Sequence, residues 1–187
     1  MQVSAASVAG AALTGAADVV RDGDTTTEVG KTVVEQITTK TEVLVVGGGT
    51  AGTVAALQAA RAGAKTLLVE RGAQLGGTTT TGGVAFPGLF DAWGKQVIAG
   101  IGWELVKDSV DLDGGVFPDF SKVPDSHWKN QVVVNPFLYA ILAEEKCELA
   151  GVEIAYYEFP ESITATPDGW QVDCVGFGTR RRVLCKQ

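Results

Sequence analysis

The sequence predicts an α/β fold that combines a parallel sheet with a small antiparallel meander of strands. The apolar run Val43–Val46 ends at a glycine-rich turn, which is followed by a helical segment and by a second apolar run ending at Glu70. The order of helix and then strand recurs after Asn135, and three short runs of strand type follow Pro160. Strands that alternate with helices are typical of a parallel sheet, whereas closely spaced short strands are typical of an antiparallel one.

Composition excludes several classes of site. Hydrophobic residues make up 45% and charged residues 20% of the 187 residues, so the chain can bury a core. The net charge of −7, with Arg180–Arg182 as the one basic cluster, disfavours a nucleic-acid partner. The three cysteines form no CxxC pair and His127 is the one histidine, so no metal site, disulfide framework or histidine-dependent triad is indicated.

Residues 1–40 differ from the rest and are predicted to lie outside the fold. The segment Val3–Val20 is too short and too weakly apolar for a membrane span, but it resembles the apolar part of a secretory signal. Because no Lys or Arg precedes Arg21, the segment is either the remnant of a signal that starts upstream or a disordered tail. The first alternative implies a periplasmic or exported protein and the second a cytoplasmic one. The Thr-rich segment Asp22–Thr41 is interpreted as a linker, which leaves residues 41–187 as the domain.

The most specific pattern is a strand, a glycine turn, a helix, a strand and an acid in that order. Val43–Val46 is followed by GGGTAG at 47–52, whose glycines match the pattern GxGxxG. A helix is predicted from about Ala51 to Ala62, and a second strand over Lys65–Val69 ends at Glu70. This order predicts a Rossmann-like unit that binds a dinucleotide.

Each part of this unit has a physical role. Gly47 permits the tight turn, Gly49 lets the backbone approach a pyrophosphate, and Gly52 lets the helix lie close to the strand. The N-terminus of the predicted helix directs free N–H groups and a partial positive charge towards the pyrophosphate. Glu70 can accept hydrogen bonds from both ribose hydroxyls and would repel a 2′-phosphate, which disfavours NADP. Enzymes that use S-adenosylmethionine share a glycine loop and such an acid, so they stay rivals at this point.

The residues after Glu70 make the pattern more specific. Two Gly-Gly pairs, at 76–77 and 82–83, follow closely. The stretch VLVVGGGTAGTVAALQAARAGAKTLLVERGAQLGGTT resembles the FAD fingerprint of the glutathione-reductase-like flavoprotein superfamily. Its continuation, TTGGVAFPGLFDAWGKQVIAGIGWEL, resembles bacterial FAD-dependent oxidoreductases, which are distantly similar to fumarate-reductase-type flavoproteins and to the flavoprotein subunit of heterodisulfide reductase. The resemblance covers about residues 42–187.

The resemblance implies that FAD is the cofactor and assigns a role to each matching position. It places Gly47, Gly49, Gly52 and the helix start at Thr50 and Ala51 around the diphosphate. It places Glu70 at the adenosine ribose and Arg71 beside the adenine. It places Gly76, Gly77, Thr78 and Thr79 along the diphosphate and ribityl chain, and Gly82 and Gly83 near the isoalloxazine ring. A plain turn is an equal interpretation of the last two glycines. A solvated polar loop is at least as good an interpretation of Thr80 and Thr81.

The middle of the chain is less informative. Ala92–Lys107 predicts an amphipathic helix, in which Trp93 and Trp103 are interpreted as core anchors rather than flavin-stacking residues. Asp111–Asn130 predicts a loop, so His127 is interpreted as an exposed loop residue, with a substrate-facing role as the alternative. The same two interpretations hold for Asp91 and Lys95.

The last third predicts one helix and a meander. Asn135–Pro136 starts the helix, Gly151 ends it, and the strand Val152–Phe159 joins the parallel sheet. Shorter strands are predicted at Ser162–Ala165, Trp170–Phe177 and Arg181–Cys185, with Arg180–Arg182 at a hairpin end. Cys147 and Cys174 are interpreted as core residues of the helix and of the meander.

The function expected from the resemblance is that of an FAD-dependent oxidoreductase, which transfers hydride to or from a small organic substrate. The alternatives are a non-catalytic FAD- or NAD-binding module and an enzyme that uses NAD, as thiazole-forming enzymes of the superfamily do. No catalytic residue is assigned. In the superfamily a further strand of the sheet, a substrate domain and a C-terminal glycine-acid motif follow such a segment. We therefore expect the chain to be the N-terminal part of an FAD-binding domain, inactive without the missing C-terminal part.

Overall fold

A computed structural model describes residues 18–22, 25–29 and 35–187 of the chain. The strands are β1 (Asp18–Asp22), β2 (Thr25–Val29), β3 (Glu35–Lys40), β4 (Val43–Val46), β5 (Thr66–Glu70), β6 (Asp91–Ala92), β7 (Lys95–Gln96), β8 (Glu153–Tyr156), β9 (Phe159–Thr166), β10 (Gly169–Val175) and β11 (Thr179–Cys185). The helices are α1 (Thr50–Arg61), α2 (Ile101–Leu112) and α3 (Pro136–Leu149), with 3₁₀ turns at Gly77–Thr79 and His127–Asn130.

A three-stranded parallel sheet forms the centre, in the order β4-β5-β8. Because successive side chains of a strand point to opposite faces, the buried strand β5 contributes to two cores. Leu68 packs with residues of the three helices, whereas Leu67 and Val69 pack with the antiparallel sheet on the other face. This arrangement confirms the predicted α/β fold and the predicted run of strand, helix and strand from 43 to 70.

The antiparallel sheet has the order β3-β11-β10-β9. Its strands β9, β10 and β11 form the predicted meander, with somewhat different limits because cross-strand pairing determines where each strand ends. The inward residues Val172, Cys174 and Val183 are buried against the parallel sheet. The meander therefore covers the face of the central sheet opposite the helices.

The strand β3 corrects the prediction that residues 1–40 lie outside the fold. Residues 35–40 pair in parallel with β11, from Glu35 opposite Thr179 to Lys40 opposite Leu184. The linker interpretation is wrong for these residues because the partner strand lies far away in the sequence, where no local pattern can indicate it. The strands β1 and β2 also pair with each other within the stretch assigned to the tail and linker. The signal or tail interpretation of residues 1–17 lies outside the described residues.

The second helix begins later than predicted. Gly100 adopts a φ of +93°, and α2 starts at Ile101 rather than near Ala92. The residues before it form the hairpin of β6 and β7, and Trp93 lies at its turn with a φ of +52° and an exposed fraction of 88%. The core interpretation is therefore wrong for Trp93, because a two-residue turn projects its side chain away from both strands. It is confirmed for Trp103, whose ring lies 4.9 Å from that of Phe90.

An ion-pair network joins the three helices at one end. Both Glu104 carboxylate oxygens accept from the Arg61 guanidinium at 2.8 Å, and Lys146 donates to the same carboxylate at 2.8 Å. Lys146 also pairs with Asp108 at 2.6 Å. Because these hydrogen bonds favour the charged form, they lower the pKa of Glu104 from 4.5 to about 2.

The cysteines are structural. Cys147 and Cys174 are buried in the two cores, as predicted, and Cys185 is also buried. Burial raises the pKa of the Cys147 and Cys174 thiols to about 11, which leaves little thiolate at neutral pH. Across the described ranges, no helix is long and apolar enough to cross a membrane.

We expect β3 to stabilise the domain. A chain that starts at residue 41 should melt at least about 3 °C below one that starts at residue 35, because it loses the pairing with β11 and the hydrogen bond from Arg181 to Thr39. Thermal unfolding followed by circular dichroism measures the difference. Equal melting temperatures would mean that residues 35–40 act only as a linker.

We expect the Glu104 network to stabilise the domain at neutral pH and to fail in acid. Since the folded pKa lies below the ordinary value, the contribution is complete above about pH 5 and is lost as pH falls towards 2. Glu104→Gln should lower the free energy of unfolding at pH 7 by less than about 1 kcal/mol, because the side chain is 37% exposed and screened. Urea titrations at several pH values should show this difference shrinking in acid. Asp111→Asn, which removes the exposed pair with Lys107, is the control.

Candidate cofactor-binding site

Two glycine segments that are distant in the sequence meet at one edge of the parallel sheet. The Gly76 N–H donates to the Gly48 carbonyl oxygen at 2.8 Å, and Gly49 and Gly76 form an isolated parallel bridge. The Thr50 hydroxyl donates to the Gly76 carbonyl oxygen at 3.2 Å. The turn after β4 and the turn after β5 therefore form one continuous backbone surface, where the carboxyl ends of both strands lie.

The three glycines of GxGxxG are required for different reasons. Gly47 adopts a φ of +92°, which side chains other than glycine rarely adopt. A Cβ at Gly52 would collide with the Gly47 carbonyl oxygen, so this glycine lets α1 lie against β4. Gly49 has a φ of −63°, and a Cβ there would meet no described atom within 4 Å. Neither conformation nor packing within the described chain requires a glycine at 49, so the space beside it is open to a ligand.

The helix α1 begins beside this open space. Its first backbone hydrogen bond runs from the Thr53 N–H to the Gly49 carbonyl oxygen at 2.8 Å, so the N–H groups of Thr50, Ala51 and Gly52 point out of the helix start. No described side chain caps the helix there, and its first turn carries no acid. The start of α1 is therefore suited to an anionic group such as a diphosphate.

Glu70 connects the loops on the neighbouring side. One carboxylate oxygen accepts from the Gly48 N–H at 2.6 Å, and the other accepts from the Gly72 N–H at 2.6 Å. A carboxylate has about four acceptor positions, so two positions stay free for ribose hydroxyls. The sequence predicted a ligand role for Glu70, and the structure adds that the same carboxylate holds the two loops in place.

A cleft of about 190 Å³ lies beside Glu70. It is lined by Val46, Gly47, Val69, Glu70, Arg71, Glu158, Phe159 and Pro160. Sequence reasoning missed the last three residues. The signal that could have found them is topological: β8 is parallel to β5, so the residues after Tyr156 must lie at the same edge as Glu70.

The missed wall of the cleft is held by backbone and ionic contacts. The Glu158 N–H donates to the Glu70 carbonyl oxygen at 3.1 Å, after Tyr157 turns the chain with a φ of +59°. The Glu158 side chain is buried and accepts from the Arg181 guanidinium at 2.8 and 3.0 Å. The three arginines predicted at a hairpin end thus belong to β11, and Arg181 ties the cleft to the antiparallel sheet.

The loop after Gly77 is compact. Thr78 is exposed, whereas Thr79 lies in the interior within the 3₁₀ turn. Thr80 is buried and donates to the Leu75 carbonyl oxygen at 2.6 Å, so it is not part of a solvated loop, while Thr81 is exposed. Gly82 and Gly83 follow at the surface, and the Gly82 N–H donates to the Gly77 carbonyl oxygen at 2.9 Å.

The three residues for which the sequence left a substrate-facing role open lie outside the glycine loops. Asp91 in β6 accepts from the Asn130 amide at 2.8 Å, and Lys95 lies exposed in β7. His127 begins the second 3₁₀ turn. Within the described residues, no group of three or more His, Cys, Asp or Glu side chains could hold a metal ion.

Solved structures with similar folds come from several kinds of enzyme. The aromatic hydroxylase CabE from angucycline biosynthesis is 18% identical with a TM-score of 0.53; the match covers 79% of this chain and 30% of that chain. A 3-ketosteroid dehydrogenase from Rhodococcus jostii is 17% identical with a TM-score of 0.52, covering 79% and 44%. Adenylylsulfate reductase from Archaeoglobus fulgidus is 20% identical with a TM-score of 0.51, covering 82% and 30%. At these identities the likeness shows the fold, and this chain spans less than half the length of each.

A family model extends the comparison to the sequence itself. No curated protein matches the chain at a significant level. The model described as FAD dependent oxidoreductase matches residues 42–186, which include the glycine loops, Glu70, all three helices and the meander. The chain therefore belongs to the FAD-dependent oxidoreductase family.

Proposed function

We propose that this chain is the FAD-binding part of an oxidoreductase that transfers hydride to or from a small organic substrate. The observation that carries the proposal is the open space at Gly49. That space has no explanation in the packing of the described chain, and it lies at the uncapped start of α1 beside the Glu70 cleft. A dinucleotide needs this combination, because its diphosphate requires close backbone approach and its ribose requires an acceptor.

Each predicted site residue has a proposed place along FAD. The start of α1, with Gly47, Gly49, Thr50, Ala51 and Gly52, would bind the diphosphate, and Glu70 would accept from the adenosine ribose. Arg71 would lie beside the adenine, together with the newly found cleft residues Phe159 and Pro160. The remaining proposed contacts are Gly76, Gly77 and Thr78 along the diphosphate and ribityl chain, and Gly82 and Gly83 near the flavin ring. Thr79, which the sequence also assigned to the ribityl chain, is buried and would support this loop from inside.

The separate roles of the cofactor and of the protein follow from the chemistry of the cofactor. The flavin, when bound, supplies the hydride acceptor or donor. The residues of this chain bind the adenosine and diphosphate halves, which fixes the position of the flavin ring. We also propose that the chain belongs to the glutathione-reductase-like superfamily. A parallel sheet of order β4-β5-β8 that is covered on one face by an antiparallel meander supports this proposal. A small-molecule substrate is part of the same proposal.

The test of the proposed function is FAD binding by variants of Gly49. Gly49→Val should abolish binding of FAD, because its side chain fills the space proposed for the diphosphate, while the ligand-free chain stays folded. Gly49→Ala should weaken binding, and Gly102→Ala in α2, where a Cβ makes only an ordinary contact with Val54, should not. Flavin absorbance after dialysis measures how much FAD stays bound to each variant, and titration followed by flavin fluorescence measures the affinity. Stoichiometric flavin on a folded Gly49→Val chain would rule out the assignment, and NAD in place of FAD would favour an NAD-using enzyme.

We expect Glu70→Ala to lower the affinity for FAD at least about tenfold, since hydrogen bonds to a charged acceptor contribute roughly 1.5–3 kcal/mol each. The substitution also leaves the Gly48 and Gly72 N–H groups without their acceptor, so flavin mononucleotide, which lacks the adenosine, is the control ligand. A ribose role predicts a much larger loss for FAD than for the mononucleotide. Equal losses for both ligands would mean that Glu70 acts only by holding the loops.

A further inference from the structure

One buried hydroxyl beside the proposed site has no role in the packing of the core. Tyr139 lies in the first turns of α3, its exposed fraction is 0%, and its hydroxyl lacks a hydrogen-bond partner among the described residues. Leaving a buried hydroxyl unpaired is costly, whereas a phenylalanine would fill the same space without that cost. The hydroxyl therefore needs an explanation outside the apolar core.

The position of this hydroxyl connects it to the cofactor site. The Tyr139 ring packs in the helical core with Ala56 and Leu57 of α1, and its hydroxyl lies beside the Thr50 side chain. Thr50 is the first residue of α1, and its own hydroxyl donates to the Gly76 carbonyl oxygen over a long 3.2 Å. Tyr139 thus approaches, from inside the protein, the residue that faces the proposed diphosphate.

The chemistry of the two hydroxyls determines which of them donates a hydrogen bond to the other. A threonine hydroxyl has one proton and two acceptor lone pairs, so it can donate to one group while it accepts from another. A tyrosine hydroxyl keeps its proton at neutral pH, so Tyr139 can donate to an acceptor oxygen beside it. A phosphate oxygen is a stronger acceptor than a carbonyl oxygen, and hydrogen bonds in a chain strengthen one another.

We propose that Tyr139 is a positioning residue that donates to the Thr50 hydroxyl oxygen and thereby directs the Thr50 proton to an anionic oxygen of the bound dinucleotide. The inference rests on the proposed function, because it concerns the same cofactor. In the ligand-free chain the Thr50 proton points to Gly76, and the Tyr139 hydroxyl stays unsatisfied. Binding of the diphosphate turns the Thr50 hydroxyl and completes the relay from Tyr139 to Thr50 to phosphate.

The test compares Tyr139→Phe with the wild-type chain in two measurements. The affinity for FAD should fall about fivefold, the effect of one neutral hydrogen bond. The melting temperature without ligand should stay equal or rise, because the variant removes an unpaired buried hydroxyl. Ser109→Ala removes the other buried hydroxyl that lacks a partner among the described residues; it lies on α2, outside the glycine loops, and should leave the affinity unchanged.

Variants of Thr50 separate the relay from simple packing. In a Thr50→Ser background, which keeps the hydroxyl, Tyr139→Phe should still lower the affinity about fivefold. In a Thr50→Val background, which keeps the shape but lacks the hydroxyl, it should have no further effect. An unchanged affinity in Tyr139→Phe, or an equal loss in the Thr50→Val background, would overturn the relay alone. A wild-type chain that binds no FAD would overturn the proposed function and the relay with it.

Discussion

The candidate site depends on the hydrogen bonds that the Glu70 carboxylate accepts. It ends the central strand β5 and accepts from the N–H groups of Gly48 and Gly72, so it joins the two turns at the edge of the sheet. The backbone of the same residue accepts from the Glu158 N–H and so also holds the far wall of the cleft. A single acidic residue at the end of a buried strand thus connects all three segments that would surround an adenosine.

This arrangement explains why the central sheet needs support on both faces. The strand β5 is buried on the helical side through Leu68 and on the other side through Leu67 and Val69, so both cores pack against the strand that ends at Glu70. The buried pair of Glu158 and Arg181 extends the support to the antiparallel sheet. Removing one member of such a pair leaves a buried charge unpaired, which costs more than the pair contributes.

Local patterns predicted those parts of the fold that depend on neighbouring residues. The run Val43–Val46, the glycine turn and the acid at 70 all lie within one unit, so their order predicts the strand-helix-strand frame and the candidate site at its edge. The strand β3 could not be found in this way, because its pairing depends on β11. Trp93 was misassigned for a related reason, since an amphipathic pattern does not show that a tight hairpin interrupts it. The cleft residues Glu158 to Pro160 become part of the site only through the pairing of β8 with β5.

The pairing of β3 with β11 has a consequence for synthesis of the chain. Thr39 and Arg181, which are hydrogen-bonded across these two strands, are separated by 142 positions. A ribosome releases β3 early, yet its partner emerges only after the parallel sheet and all three helices have been made. During that interval the strand has an unsatisfied backbone edge, and pairings between such distant segments form slowly. The antiparallel sheet is therefore completed only when β11, the last described strand, reaches β3.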